Sequence, residues 1–183
     1  MTLLDSALHA VASWTPRSPA EEAERSEFLA ALDQGADALS RHPLRSHLTA
    51  SAFILDARRE HVLLVFHGKG KFWVQPGGHL ESEDAGILEA ALREATEETG
   101  LLPGQLTGLQ MVDLDHHQLS GAFGHCLSHL DIGVAMTTDG TPQPSVSDES
   151  DDVRWFPVSD LPEDTVHGFS SRLAEVLERL RHA

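Results

Sequence analysis

The chain has 183 residues, 40% hydrophobic and 23% charged, and carries 13 Lys+Arg against 29 Asp+Glu for a formal net charge of −16. With no long basic run, that balance repels nucleic acid and excludes it as a partner. The single cysteine, Cys126, excludes an intramolecular disulfide, and without a long apolar run or a cleavable leader pattern the expectation is one cytoplasmic domain with no membrane partner.

Residues 1–44 read as helical. Leu3, Leu4, Ala7, Leu8 and Val11 recur at the spacing of a short amphipathic helix, which Thr15-Pro16 ends. Ser18-Pro19-Ala20-Glu21 then supplies a Ser cap, a Pro at the first helical position and a Glu at the capping-box position. That helix is expected to run to about Leu39, with Phe28, Leu29 and Leu32 inward. The segment is read as an extension that packs on the rest of the chain or forms a homodimer.

His47–Leu55 and His61–His67 read as two strands joined by the polar turn Asp56–Glu60, a hairpin signal with a longer loop. Lys71–Val74 makes a third short strand leading into Pro76. Gly68-Lys69-Gly70-Lys71 lacks the spacing and the following helix of a phosphate-cradling loop. It is read as a mobile turn, with attraction of an anionic substrate by its lysines, the only two in the chain, as the alternative.

Pro76–Leu101 is the most informative stretch: PGGHLESEDAGILEAALREATEETGL. It opens on a Pro-Gly-Gly turn and passes through an acidic loop. A helix is expected from about Asp84 to Thr99, with Asp84 as N-cap and Gly100 at the C-cap. Glu94, Glu97 and Glu98 fall at i, i+3 and i+4, within an arc of roughly 100° on one helix face. They lie at the helix C-terminus, where the dipole disfavours negative charge. A solvated acidic face is one account. The other is neutralisation by a hard divalent cation, Mg²⁺ or Mn²⁺, which prefers oxygen ligands and keeps positions open for phosphate.

The wider pattern resembles the Nudix box of the Nudix hydrolases. The family's second half appears as Arg93-Glu94-Ala95-Thr96-Glu97-Glu98-Thr99-Gly100-Leu101, with small Ala95 in the aliphatic slot. The first half departs from the pattern. Asp84 stands where the family has Glu, and one extra residue, near Gly86, separates it from Arg93. A role carried from the family's first Glu onto Asp84 is therefore not expected.

After the box, Gln105–Leu114 and Cys126–Met136 read as strands. Around them lie Asp113, Asp115, His116, His117, His125, His129 and Asp131. This density invites a zinc reading, but no HExxH and no Cys/His pair spacing supports it. The residues are read instead as solvent-facing or hydrogen-bonded histidines near a pocket. An acidic segment, Ser147–Asp152, precedes the short strand Val153–Phe156, and Phe169–Arg181 closes the chain as an amphipathic helix.

The resemblance covers roughly residues 46–165. It implies an α/β fold, a mixed sheet packed between helices, with the hydrolase domain at 45–183 after the 1–44 extension. It further implies hydrolysis of a phosphoanhydride in a nucleoside diphosphate linked to another moiety. Glu94, Glu97, Glu98 and the Gly77 carbonyl are the expected ligands of Mg²⁺ or Mn²⁺. Glu149 is the expected further carboxylate, with either it or a box Glu as general base, and Arg93 is expected to orient a box carboxylate. Two alternatives stand beside this: a catalytically silent nucleotide sensor, and an isoprenoid diphosphate isomerase that would need Cys126 as its acid–base group.

Overall fold

The computed structural model describes residues 2–40, 44–119, 126–147 and 150–182. In chain order its elements are α1 (Leu3–Ser13), α2 (Pro19–Leu32), a 3₁₀ turn (Gly35–Leu39), β1 (Ser46–Asp56), β2 (His61–His67), β3 (Trp73–Val74), β4 (Gly77–His79), α3 (Ile87–Thr99), a second 3₁₀ turn (Pro103–Gln105), β5 (Thr107–Gln118), β6 (Ser128–Thr138), β7 (Ser150–Pro157) and α4 (Phe169–Arg181).

The sheet is built on β1. It pairs in parallel with β6 over its whole length, from Ser46↔Ser128 to Asp56↔Thr138, and β5 adds antiparallel to β6. Along its other edge β1 meets β2 at Leu55↔Val62, and β4 occupies that edge at Ser51↔Gly77 to Thr49↔His79. The expected turn between β1 and β2 is present, with Asp56 Oδ1 accepting from the Glu60 and His61 N–H groups, both at 2.7 Å. The two strands diverge because β4 takes the edge that a full hairpin would need. β2 pairs instead with β7 and β3.

Both faces of this mixed sheet are covered. Leu48, Ala50, Ala52 and Ile54 of β1 share one core with Ala7 and Val11 of α1, Phe28 and Leu32 of α2, and Ile87, Ala91 and Ala95 of α3. Phe53 and Leu55 point the other way, onto Phe169, Leu173 and Val176 of α4. Alternation along one strand thus feeds two helical layers.

Local chemistry sets the helix ends. Thr2 and Asp5 form a reciprocal capping box on α1. Ser18 Oγ accepts from the Glu21 N–H, as expected, but the Glu21 carboxylate turns to the Arg17 N–H at 2.6 Å. α2 ends at Leu32 rather than Leu39. Gly35 has φ +76°, outside the α-helical region, and the chain continues only as a 3₁₀ turn.

Candidate active site

α3 carries the acidic face. It begins at Ile87, not Asp84, because the Asp84 carboxylate is engaged elsewhere and the N-cap is Gly86, which offers no side chain. The cap comes from another helix: Ser6 Oγ of α1 accepts from the Ile87 N–H at 3.3 Å. At the far end Gly100 adopts φ +67° and its N–H donates to the Thr96 carbonyl, ending the helix where expected.

Arg93 organises the box. Its Nε and Nη2 grip Asp84 Oδ1 and Oδ2 at 2.9 and 3.1 Å. Nη1 donates to Glu94 Oε1 at 2.9 Å and to Glu97 Oε2 at 3.1 Å, and Nη2 also reaches the His79 carbonyl at 3.0 Å. The Asp84 and Glu94 carboxylates raise the guanidinium's pKa above its ordinary value, so it stays charged. Asp84 therefore anchors Arg93 despite the inserted residue, a role the broken register hid.

The glycine turn is locked to the same helix. The Gly77 N–H donates to Glu98 Oε2 at 2.8 Å. A Cβ on Gly78 would fall 2.7 Å from Glu94 Oε1, so a side chain there would displace the Glu94 carboxylate from its seat against β4. Glu94 and Glu98 thus face the turn, while Glu97 is 58% exposed at the rim. The donor set here is oxygen only, which suits a hard divalent cation and not a soft one. Glu149 lies outside the described residues. Lys71, for which attraction of an anion is the alternative to a plain turn, has its Nζ 2.6 Å from Asp151 Oδ2.

A polar row crosses the α4-facing side of β1, β6 and β5. It comprises His47, Thr49 and Ser51, then His129 and Asp131, then Asp113, Asp115 and His117. Asp131 accepts from Thr49 Oγ1 at 2.9 Å and from Ser51 Oγ at 2.5 Å. Arg172 of α4 reaches Asp113 with Nε at 2.5 Å and Asp131 with Nη2 at 2.6 Å. Burial pushes the Asp113 carboxyl up to about 7 against the pull of Arg172, with the Asp131 and Asp115 charges adding to the rise. At Asp131 burial acts in the same direction, but Arg172 and Ser51 outweigh it and the pKa is lowered.

At one end of this row, His47, His79, Cys126 and His129 draw together, each offering one ligand atom within 4.8 Å of the others. His129 is pushed down to about 3, by burial first and then by the neighbouring imidazoles of His79, His117 and His47. Sequence reading missed this group because its members come from β1, β4, the segment before β6 and β6 itself. Only the register His47↔His129 and the return of β4 along β1 bring them together. Of the other histidines, His116 behaves as expected, bonding Glu27 Oε1 and Ser128 Oγ at 2.8 and 2.9 Å.

A family model for the NUDIX domain matches residues 45–180. No curated protein matches the chain by sequence. Among solved structures, the chain is similar to an Ap4A hydrolase from C. elegans, with TM-score 0.62, 18% identity, and coverage of 74% of this chain and 98% of that one. It is similar to a NUDIX-family hydrolase from Clostridium perfringens, with TM-score 0.58, 26% identity, and coverage of 74% and 97%. A UDP-X diphosphatase aligns over 100% of this chain and 97% of its own, with TM-score 0.57 and 16% identity.

Proposed function

The chain belongs to the Nudix hydrolase family, and from that premise we propose that it cleaves the phosphoanhydride of a nucleoside diphosphate linked to another moiety, using Mg²⁺ or Mn²⁺. The observation that carries this reading is the seating of Glu94 and Glu98 against the Gly77-Gly78 turn, with Arg93 fixing Glu94 and Glu97 from the side. Glu94, Glu97, Glu98 and the Gly77 carbonyl are the ligands in this reading. The cation, when bound, offsets phosphate charge and makes water more acidic. That also explains how a chain of net charge −16 handles an anion.

The chain's own residues do the positioning. Arg93, tied to Asp84, holds its carboxylate neighbours in one orientation before substrate arrives, which lowers the cost of assembling the site. The Gly77 N–H fixes one oxygen of Glu98. The base is a box glutamate or Glu149. Similarity to structures described as an Ap4A hydrolase and a UDP-X diphosphatase supports a nucleoside diphosphate or polyphosphate as the substrate class.

The test is a panel of nucleotide substrates with Mg²⁺ or Mn²⁺, before and after EDTA, with products identified. Hydrolysis that stops with EDTA and returns with the cation supports the reading, whereas full turnover in a chelated, metal-free sample overturns it. Tight binding of a nucleotide without hydrolysis across the panel would favour the sensor. Glu149→Gln assigns the base: if Glu149 fills that role, turnover falls strongly while binding of a non-hydrolysable analogue stays within a few-fold.

A further inference from the structure

We propose that His47, His79, Cys126 and His129 form a second metal site, distinct from the carboxylate site on α3, that takes a zinc-class transition ion in a closed three-nitrogen, one-sulfur shell. The geometry carries the argument. The three imidazole centroids form a nearly equilateral triangle, with sides of 5.1 Å (His47–His79), 5.2 Å (His47–His129) and 5.3 Å (His79–His129). The Cys126 sulfur lies 3.9 Å from Nε2 of both His47 and His79. In a tetrahedral zinc site, neighbouring ligand atoms stand about 3.3–3.6 Å apart, given metal–ligand distances of about 2.0–2.3 Å. Each Sγ–Nε2 separation is only a few tenths of an ångström longer than such an edge, and all four ligand atoms lie within 4.8 Å of one another, so closing the shell takes a small inward movement of side chains.

The chemistry agrees with that geometry. Three rings and a thiol sit together at the end of the polar row, His47 buried and the other three partly buried. His129 Nε2 is buried and has no hydrogen-bond partner among the described residues, a cost that a ligand bond would remove. Imidazole and thiolate select zinc-class ions and reject Mg²⁺, so the two sites do not compete for one ion. Four protein ligands leave no position open for substrate, so the role is structural.

Position gives that role a consequence. His79 is the last residue of β4, directly after the Gly77-Gly78 turn, and its carbonyl accepts from Arg93. An ion bound through the His79 ring would pin the outer end of β4 to β1 and β6. The box turn would then be held from both sides, by α3 through Arg93 and Glu98 and by the metal through His79.

Cys126 is the only cysteine in the chain, so any sulfur-to-metal signal reports this site alone. The full chain, stripped of metal, is titrated with Zn²⁺ by calorimetry and with Co²⁺ by absorption spectroscopy, in excess Mg²⁺. The expected result is one Zn²⁺ per chain, a sulfur-to-cobalt charge-transfer band, and protection of Cys126 from alkylation by Zn²⁺. Cys126→Ser should abolish the band and weaken Zn²⁺ binding by more than the roughly 10- to 100-fold that loss of a group merely supporting a ligand costs. His129→Ala should weaken it similarly, and Glu98→Gln should leave it intact. If either site variant fails to fold, the band, stoichiometry and thiol protection in the unaltered chain still decide. No saturable binding, binding without the sulfur band, or binding lost in Glu98→Gln but kept in Cys126→Ser overturns the proposal.

Discussion

The Arg93 guanidinium lies along the Asp84 carboxylate as a two-pronged pair, Nε to Oδ1 at 2.9 Å and Nη2 to Oδ2 at 3.1 Å. The Asp84 side chain is only 5% exposed and that of Arg93 20%. Sequence register alone gave Asp84→Asn a minor effect; the structure gives it a larger one. An amide cannot accept at both prongs, and the guanidinium is left short of a partner. We expect a loss of about 1.5–3 kcal/mol, read from urea unfolding, together with reduced turnover because Glu94 loses its positioned neighbour. Stability and turnover both unchanged in Asp84→Asn would show that the pair does not organise the box.

Glu98→Gln separates charge from shape. The amide oxygen can still accept from the Gly77 N–H, so the turn should hold. The negative charge is gone, and turnover should fall on the order of 10²-fold or more. In a chelator-treated sample, Mg²⁺ or Mn²⁺ should raise the melting temperature of the unaltered chain by mass action and do so much less for Glu98→Gln. An equal thermal shift in both would place the cation elsewhere.

Asp113 predicts a pH dependence. Its folded-state carboxyl titrates near 7 against an ordinary 3.8, so between those values the folded chain holds a proton that the unfolded chain releases. This group's contribution to stability therefore falls as pH rises from about 4 to about 7. Asp113→Asn should flatten that part of the stability–pH curve, as measured by urea unfolding at several pH values. An identical slope in the variant would remove Asp113 as its source.

Arg172→Met tests the other side of the same network. It leaves the buried Asp113 and Asp131 without their cation, and breaking such a pair costs about 3–5 kcal/mol. Adding Asp131→Asn should recover part of the loss, since Asp131 is the carboxylate that Arg172 keeps ionised and its buried charge then disappears. A double variant no more stable than Arg172→Met would argue against electrostatic coupling.

Ser6→Ala probes the N-terminal helices. Ser6 caps α3 across the interior, and Gly86 has no side chain to substitute for it. Loss of the cap should cost about 1 kcal/mol, seen as a lower urea midpoint. An unchanged midpoint would mean that water replaces the hydroxyl.

The sequence by itself determined the elements whose signals are local. Amphipathic spacing marked α1, α3 and α4, Gly100 marked the end of α3, and spacings of three and four residues put Glu94, Glu97 and Glu98 on one face. Each rests on contacts within one or two helical turns, which a linear pattern records. Only tertiary structure decided where Asp84 points, which hydroxyl caps α3, and that His47 lies beside His129. The first two depend on a loop and a second helix meeting α3, through Arg93 and Ser6, and the third on β1 pairing in parallel with a strand some eighty residues later. Residue spacing carries no trace of such register, because the side chains that meet there belong to distant segments whose backbones are hydrogen-bonded to each other.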